Sequence, residues 1–159
     1  MLKSFLAALM LFAAYVDSSF ASSIEASANC LARAAWHEAR GLSLSEIEDI
    51  MHAVMHRTKH PAYPGTPCAV VAQPQYSGLG TKMPRVPARE RARFNDIRKL
   101  ALEVAAGRRE DTVDGATHFW TPKLRRKLGF KRPPSWAMEL PTTKVTRNFK
   151  FHRLPYNHR

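Results

Sequence analysis

Cys30-Leu31-Ala32-Arg33-Ala34-Ala35-Trp36-His37-Glu38-Ala39-Arg40-Gly41 reads as the closing turns of an amphipathic helix. At about 100° per residue, the run over 26–40 places Cys30, Leu31, Ala34, Ala35 and Ala39 on one apolar arc, with Arg33, His37 and Arg40 opposite. Glu38 falls inside that arc, one turn beyond Ala34. A carboxylate there faces the core or a cleft. It also stands in the last turn before Gly41, where the negative end of the helix dipole opposes ionisation. Desolvation and the dipole both favour the protonated form, as a general acid requires. A buried glutamate paired to an arginine fits the same helix equally well, and the wheel alone leaves both readings open.

Downstream, Ser43-Leu44-Ser45-Glu46 is a capping box that starts a second helix near Leu44. Ile47, Ile50, Met51, Val54 and Thr58 share its apolar face. His52, His56 and His60 lie on the other side beside Asp49, and the spacing reads as a solvated polar face rather than a metal stripe. Thr66-Pro67 caps a short helix through Gln73, and Pro74 stops it. A loop follows over 75–87, then a third long helix over 88–106 with Phe94, Ile97, Leu100, Ala101 and Val104 inward. Segments 116–120 and 144–151 alternate as strands and pair, while the basic, proline-interrupted stretch 122–141 reads as a surface loop. Trp120 and Trp136 are equally suited to stacking on a sugar and to packing in a core.

Upstream, Lys3 followed by the apolar run 5–16 and by Ser19-Phe20-Ala21 has the form of a secretory signal peptide cleaved after Ala21. The apolar run is short for a span of about 20 residues, and no later segment is apolar enough to cross a membrane. Residues 1–21 are therefore expected to be the leader and 22–159 a single domain, exported to a periplasmic or extracellular location. An oxidising compartment favours a disulfide between the two cysteines, Cys30 and Cys68; two buried free thiols are the alternative. The chain of 159 residues has 25 Lys+Arg against 13 Asp+Glu, a formal net charge of +12. Its apolar fraction of 45% excludes global disorder, and the length supports one core.

Cys30-Leu31-Ala32-Arg33 with His37-Glu38-Ala39-Arg40-Gly41 resembles the opening of the SleB-type cell wall hydrolase family, C-L-A and then E-A-R-G-E. The resemblance continues in family order through His56-Arg57-Thr58-Lys59-His60-Pro61-Ala62-Tyr63-Pro64, Thr66-Pro67-Cys68-Ala69-Val70-Val71, Gln75-Tyr76-Ser77 and Gly115-Ala116-Thr117-His118-Phe119, with Phe151 in the terminal H-x-F. It covers nearly all of the chain after the leader. The family implies an α+β, lysozyme-like fold, mainly helical with a small β-hairpin or sheet in the C-terminal half. It implies a peptidoglycan glycosidase cleaving the β-1,4 bond between N-acetylmuramic acid and N-acetylglucosamine, without a cofactor or metal. Glu38 takes the catalytic acid position in that resemblance. Gln75, Tyr76, Ser77, Thr117, His118 and Phe119 become the expected substrate-binding residues. The chain departs from the pattern at Leu42, His56 and Phe149, where the family has Glu, Asn and His.

A direct hydrolase uses two carboxylates, about 5–5.5 Å apart if retaining and about 6.5–9.5 Å if inverting. Glu46, Glu48 and Asp49 open the second helix away from its apolar face, and Glu90, Asp96 and Glu103 sit among cations. Asp111 and Asp114 are the remaining candidates. A lytic transglycosylase needs only Glu38, which favours that mechanism. The cations Lys123, Arg125, Arg126, Lys127, Lys131 and Arg132, with more beyond Lys144, suit an anionic polymer of the cell envelope or nucleic acid. The protein is expected to be a monomer, and the alternative function is a secreted basic protein that binds such a polymer without catalysis. No nucleic-acid-binding motif supports an obligate nucleic-acid partner.

Overall fold

The computed structural model describes residues 2–74 and 85–156, with side chains from residue 21 onward. The elements run α1 (Leu2–Ala39), α2 (Leu44–Lys59), α3 (Pro67–Val71), a 3₁₀ turn (Ala88–Glu90), α4 (Arg91–Ala105), β1 (His118–Trp120), α5 (Pro122–Lys127), α6 (Trp136–Glu139), β2 (Thr142–Val145) and β3 (Lys150–His152). The result is an α+β fold, helical through its first two thirds, with one three-stranded antiparallel sheet of order β1-β3-β2. Among the described residues no helix is long and apolar enough to cross a membrane.

The helical core forms because two stripes of small and branched side chains meet. Ala28, Ala32, Ala35 and Ala39 on α1 are fully or nearly buried. Their lack of bulk lets α4 approach closely with Ile97, Leu100, Ala101 and Val104. Trp36 closes that seam edge-on against Phe94, ring centroids 5.3 Å apart. Ile47, Ile50, Met51 and Val54 of α2 fill the space between α1, α3 and α4. Cys30 and Cys68 are joined by a disulfide that ties α1 to α3.

Two expectations about helix faces are corrected. Arg33 is buried, not solvated, because α1 is packed by α2, α3 and α4 together. The polar side of α2 is buried too, since that helix is enclosed on the far side by chain from the second half. Asp49 is fully buried and accepts from Thr112 Oγ1 and Lys144 Nζ, each at 2.6 Å. Glu48 takes a bidentate pair from Arg109 at 2.8 and 2.9 Å, and His52 stands 3.7 Å from the same carboxylate. His56 pairs with Asp111 at 3.0 Å. Buried His60 accepts from the Ala62 N–H at Nδ1 and reaches the Pro155 carbonyl from Nε2. The three histidines thus go to three different places.

Boundaries differ as well. The helix at Pro67 ends at Val71, and α1 starts well upstream of residue 26. Segment 144–151 is two strands, not one, because Thr146 breaks it: its Oγ1 accepts from the N–H groups of Asn148 and Phe149, which turns the chain. Glu46 holds that turn, accepting from Thr146 Oγ1 at 3.0 Å and from Asn148 Nδ2 at 3.0 and 3.1 Å. The basic stretch 122–141 contains two short helices, α5 and α6, started by Pro122 and by Ser135-Trp136.

Candidate active site

Glu38 ends α1 at the junction of two cavities. One, of about 290 Å³, is walled by Arg57 of α2, by His118, Phe119 and Trp120 of β1, and by Trp136 of α6. The other, of about 460 Å³, runs along His37, Arg40, Gly41 and Leu42 towards Leu124 and Phe149. Glu38 and Thr121 line both, so a groove passes the carboxylate on either side. Among the residues lining these two cavities Glu38 is the only acid. It remains exposed. The cleft walls nevertheless crowd the carboxylate, and this loss of water raises its pKa against the opposing pull of the Arg57 guanidinium. A carboxyl group whose protonated form is favoured in this way suits the part of a proton donor.

Arg57 was not singled out by the sequence as a functional residue, although it is the arginine of His56-Arg57-Thr58 in the quoted motif. It is buried, donates from Nε to the Thr117 carbonyl, and lies over the Tyr63 ring at 5.4 Å. Its place in that motif, in the last turn of α2, was the available signal.

β1 is delivered to the cleft by the loop before it. Asp111 accepts from the N–H groups of Val113 and Gly115, both at 2.9 Å, while paired to His56. These bonds outweigh its partial burial and hold its pKa at about 2. Asp114 and Gly115 take the left-handed turn that follows, at φ 47° and 70°. Asp111 is thus occupied in fixing the loop, and Asp114 pairs loosely with Arg153 at 3.7 Å. Neither lines the groove.

His118 is flanked by Thr117 Oγ1 at 3.0 Å from Nδ1 and by the Tyr63 hydroxyl at 3.3 Å from Nε2. Burial, reinforced by Arg57, His152 and His60, pushes its pKa down to about 4. At neutral pH it is an uncharged ring that can donate or accept. Burial likewise raises the Tyr63 pKa, so its hydroxyl keeps its proton. Trp136 stands between His118 and His152, 5.0 and 5.5 Å from their rings. His152 accepts from Trp120 Nε1 at Nε2 and reaches the Leu140 carbonyl from Nδ1, which fixes both tryptophans as walls.

Of the expected binding residues, His118 and Phe119 line the groove with Glu38. Thr117 does not. It is 2% exposed, and its hydroxyl is engaged by the Leu154 N–H and His118, so it positions the imidazole from behind. Gln75, Tyr76 and Ser77 lie outside the described residues. Phe149, where the family pattern has His, is buried edge-on to Phe119 at 5.7 Å and builds the sheet's apolar face. Leu42 packs against the core at the groove's edge.

A family model described as Cell Wall Hydrolase matches residues 48–152, about two thirds of the sequence. The chain belongs to the cell wall hydrolase family. The matched span includes α2 from Glu48 on, β1, α6 and β3, hence the other walls of the 290 Å³ cavity, but starts beyond Glu38 itself. The fold of this cell wall hydrolase is that of two solved catalytic domains. The catalytic domain of the Bacillus cereus SleB protein superposes with a TM-score of 0.58 at 17% identity, over 82% of this chain and 89% of that one. The catalytic domain of the germination-specific lytic transglycosylase SleB from Bacillus anthracis gives 0.55 at 18% identity, over 80% and 93%. No curated protein matches the sequence. Family membership makes this cell wall hydrolase a peptidoglycan-acting enzyme.

Proposed function

We propose that the protein is an exported peptidoglycan glycosidase that cleaves the β-1,4 bond between N-acetylmuramic acid and N-acetylglucosamine as a lytic transglycosylase. The observation that carries this is the lone acid: Glu38 stands where two cavities meet, and neither holds a second carboxylate. A glycan lying along the groove presents its glycosidic oxygen to Glu38. The protonated carboxyl gives its proton to that oxygen as the bond breaks. The resulting carboxylate then takes the proton of the muramyl 6-hydroxyl, which closes on C1 to leave a 1,6-anhydro end. One group serves as acid and then base, and no water is consumed. The Trp120 and Trp136 faces suit sugar rings, and the neutral His118 imidazole suits an acetamido or hydroxyl group. The leader read in residues 1–21 supports export.

Product analysis tests the reading. Purified sacculi digested by the protein should release muropeptides ending in 1,6-anhydromuramic acid, one water lighter than hydrolysed products. Reducing-end muramic acid as the main product would overturn the transglycosylase mechanism and require a second carboxylate.

The acid's pKa provides a further check. Arg57 lowers the Glu38 pKa, so Arg57→Gln should raise it. The protonated form then persists to higher pH, and the alkaline limb of the kcat profile moves upward. Losing the Nε–H bond to the Thr117 carbonyl should also cost about 1–3 kcal/mol of stability. Arg57→Lys, which keeps the charge, should restore most of the limb. An alkaline limb that stays fixed or moves down in Arg57→Gln would remove Glu38 as the titrating acid.

A further inference from the structure

A third cavity, of about 230 Å³, opens on the other side of Trp120. Trp120 is a wall of both this cavity and the Glu38 groove, so the two are neighbours across one indole. Arg126, Lys131, Arg132 and Lys150 line the third cavity, and no acid does. None of these four cations has an ion-pair partner among the described residues. Arg125 is already used: it donates from Nε to the Arg132 carbonyl at 2.6 Å and lies over the Phe130 ring at 4.4 Å. That clamp holds the loop after α5 folded back, which keeps Lys131 and Arg132 at the cavity. With Arg125, which also lines it, five like charges gather in this concavity and repel one another, and an anion relieves that repulsion.

We propose that this cavity receives a carboxylate of the peptide carried by the muramyl residue whose glycosidic bond lies at Glu38. The proposal rests on the peptidoglycan reading above. The amino sugars of the uncrosslinked glycan are uncharged within the chain, because the muramyl lactyl carboxyl is spent in the amide bond to the peptide. Negative charge on such a substrate therefore comes from the peptide, beside the glycan rather than along it. A basic cavity separated from the glycan groove by a single tryptophan has the matching layout. A cell wall polymer of phosphodiesters would be held by the same cations but has no covalent reason to lie next to the scissile bond.

The test compares two preparations of sacculi stripped of phosphodiester polymers. In both, peptide amines are acetylated; in one, peptide carboxylates are then converted to methylamides by carbodiimide coupling. The wild type should cleave the carboxylate form with kcat/KM about tenfold higher, the difference lying in KM, as loss of a charge-assisted contact predicts. In the double variant R126Q/K131Q that ratio should fall close to one. Equal kcat/KM on both forms by the wild type, or a ratio retained by the double variant, overturns the proposal while leaving the glycosidase reading intact. Cleavage of neither form by the wild type overturns both. In a control with unstripped sacculi, a preference for them that ignores amidation reassigns the cavity to the phosphodiester polymer and likewise overturns it.

Discussion

Glu38→Gln is expected to leave the fold intact and to cut turnover by roughly 10²–10⁴-fold, the usual contribution of a positioned acid–base group. Glutamine keeps the length and hydrogen bonding of the side chain but cannot deliver a proton. Because Glu38 is exposed at the groove, the stability change should stay within about 0.5 kcal/mol, as for surface substitutions. Muropeptide release and thermal unfolding, measured on the same preparation, separate the two effects. A folded Glu38→Gln protein that digests sacculi at the wild-type rate would remove the catalytic assignment altogether.

The second large effect concerns stability. Cys30 and Cys68 are 38 residues apart in sequence, so their bond restricts the unfolded chain by an amount worth about 4 kcal/mol in the chain-entropy treatment. A small domain has about 5–15 kcal/mol in all. Replacing both cysteines by alanine should therefore lower the denaturation midpoint strongly. Below that midpoint activity should persist, because neither sulfur lines the groove. A midpoint that hardly moves would mean that α1 and α3 stay associated without the bond.

Glu38 was legible because a helix wheel needs only local sequence: an acid on the alanine arc at the end of a helix is visible in a dozen residues. What the wheel could not supply was the enclosure of α2. Asp49, Glu48 and His56 look solvated when the helix is drawn alone. Their partners Lys144, Arg109 and Asp111 come from the distant second half of the chain, and nothing local announces them. The same holds for Glu46, which reads as the last member of a capping box, and its N–H does donate to the cap Ser43 Oγ. Its carboxylate also anchors the turn at Thr146, and that turn is why the expected single strand is two. Thr117 stands just before β1 and its hydroxyl is taken by the Leu154 N–H, so it stays behind the groove that His118, Phe119 and Trp120 line. The sheet order, with β3 between β1 and β2, rests on pairing between segments about 30 and 10 residues apart, His118 with His152 and Thr142 with His152. No periodicity encodes that.

The acid sits at the end of the first helix, while the opposite wall of its groove is built from residues 118–120 held in register against 150–152. Without the last strand in place, the helices carry Glu38 but not the opposite wall of its groove. The cleft is thus a property of both ends of the chain at once: it exists only when the final strand has closed the sheet beside the first helix.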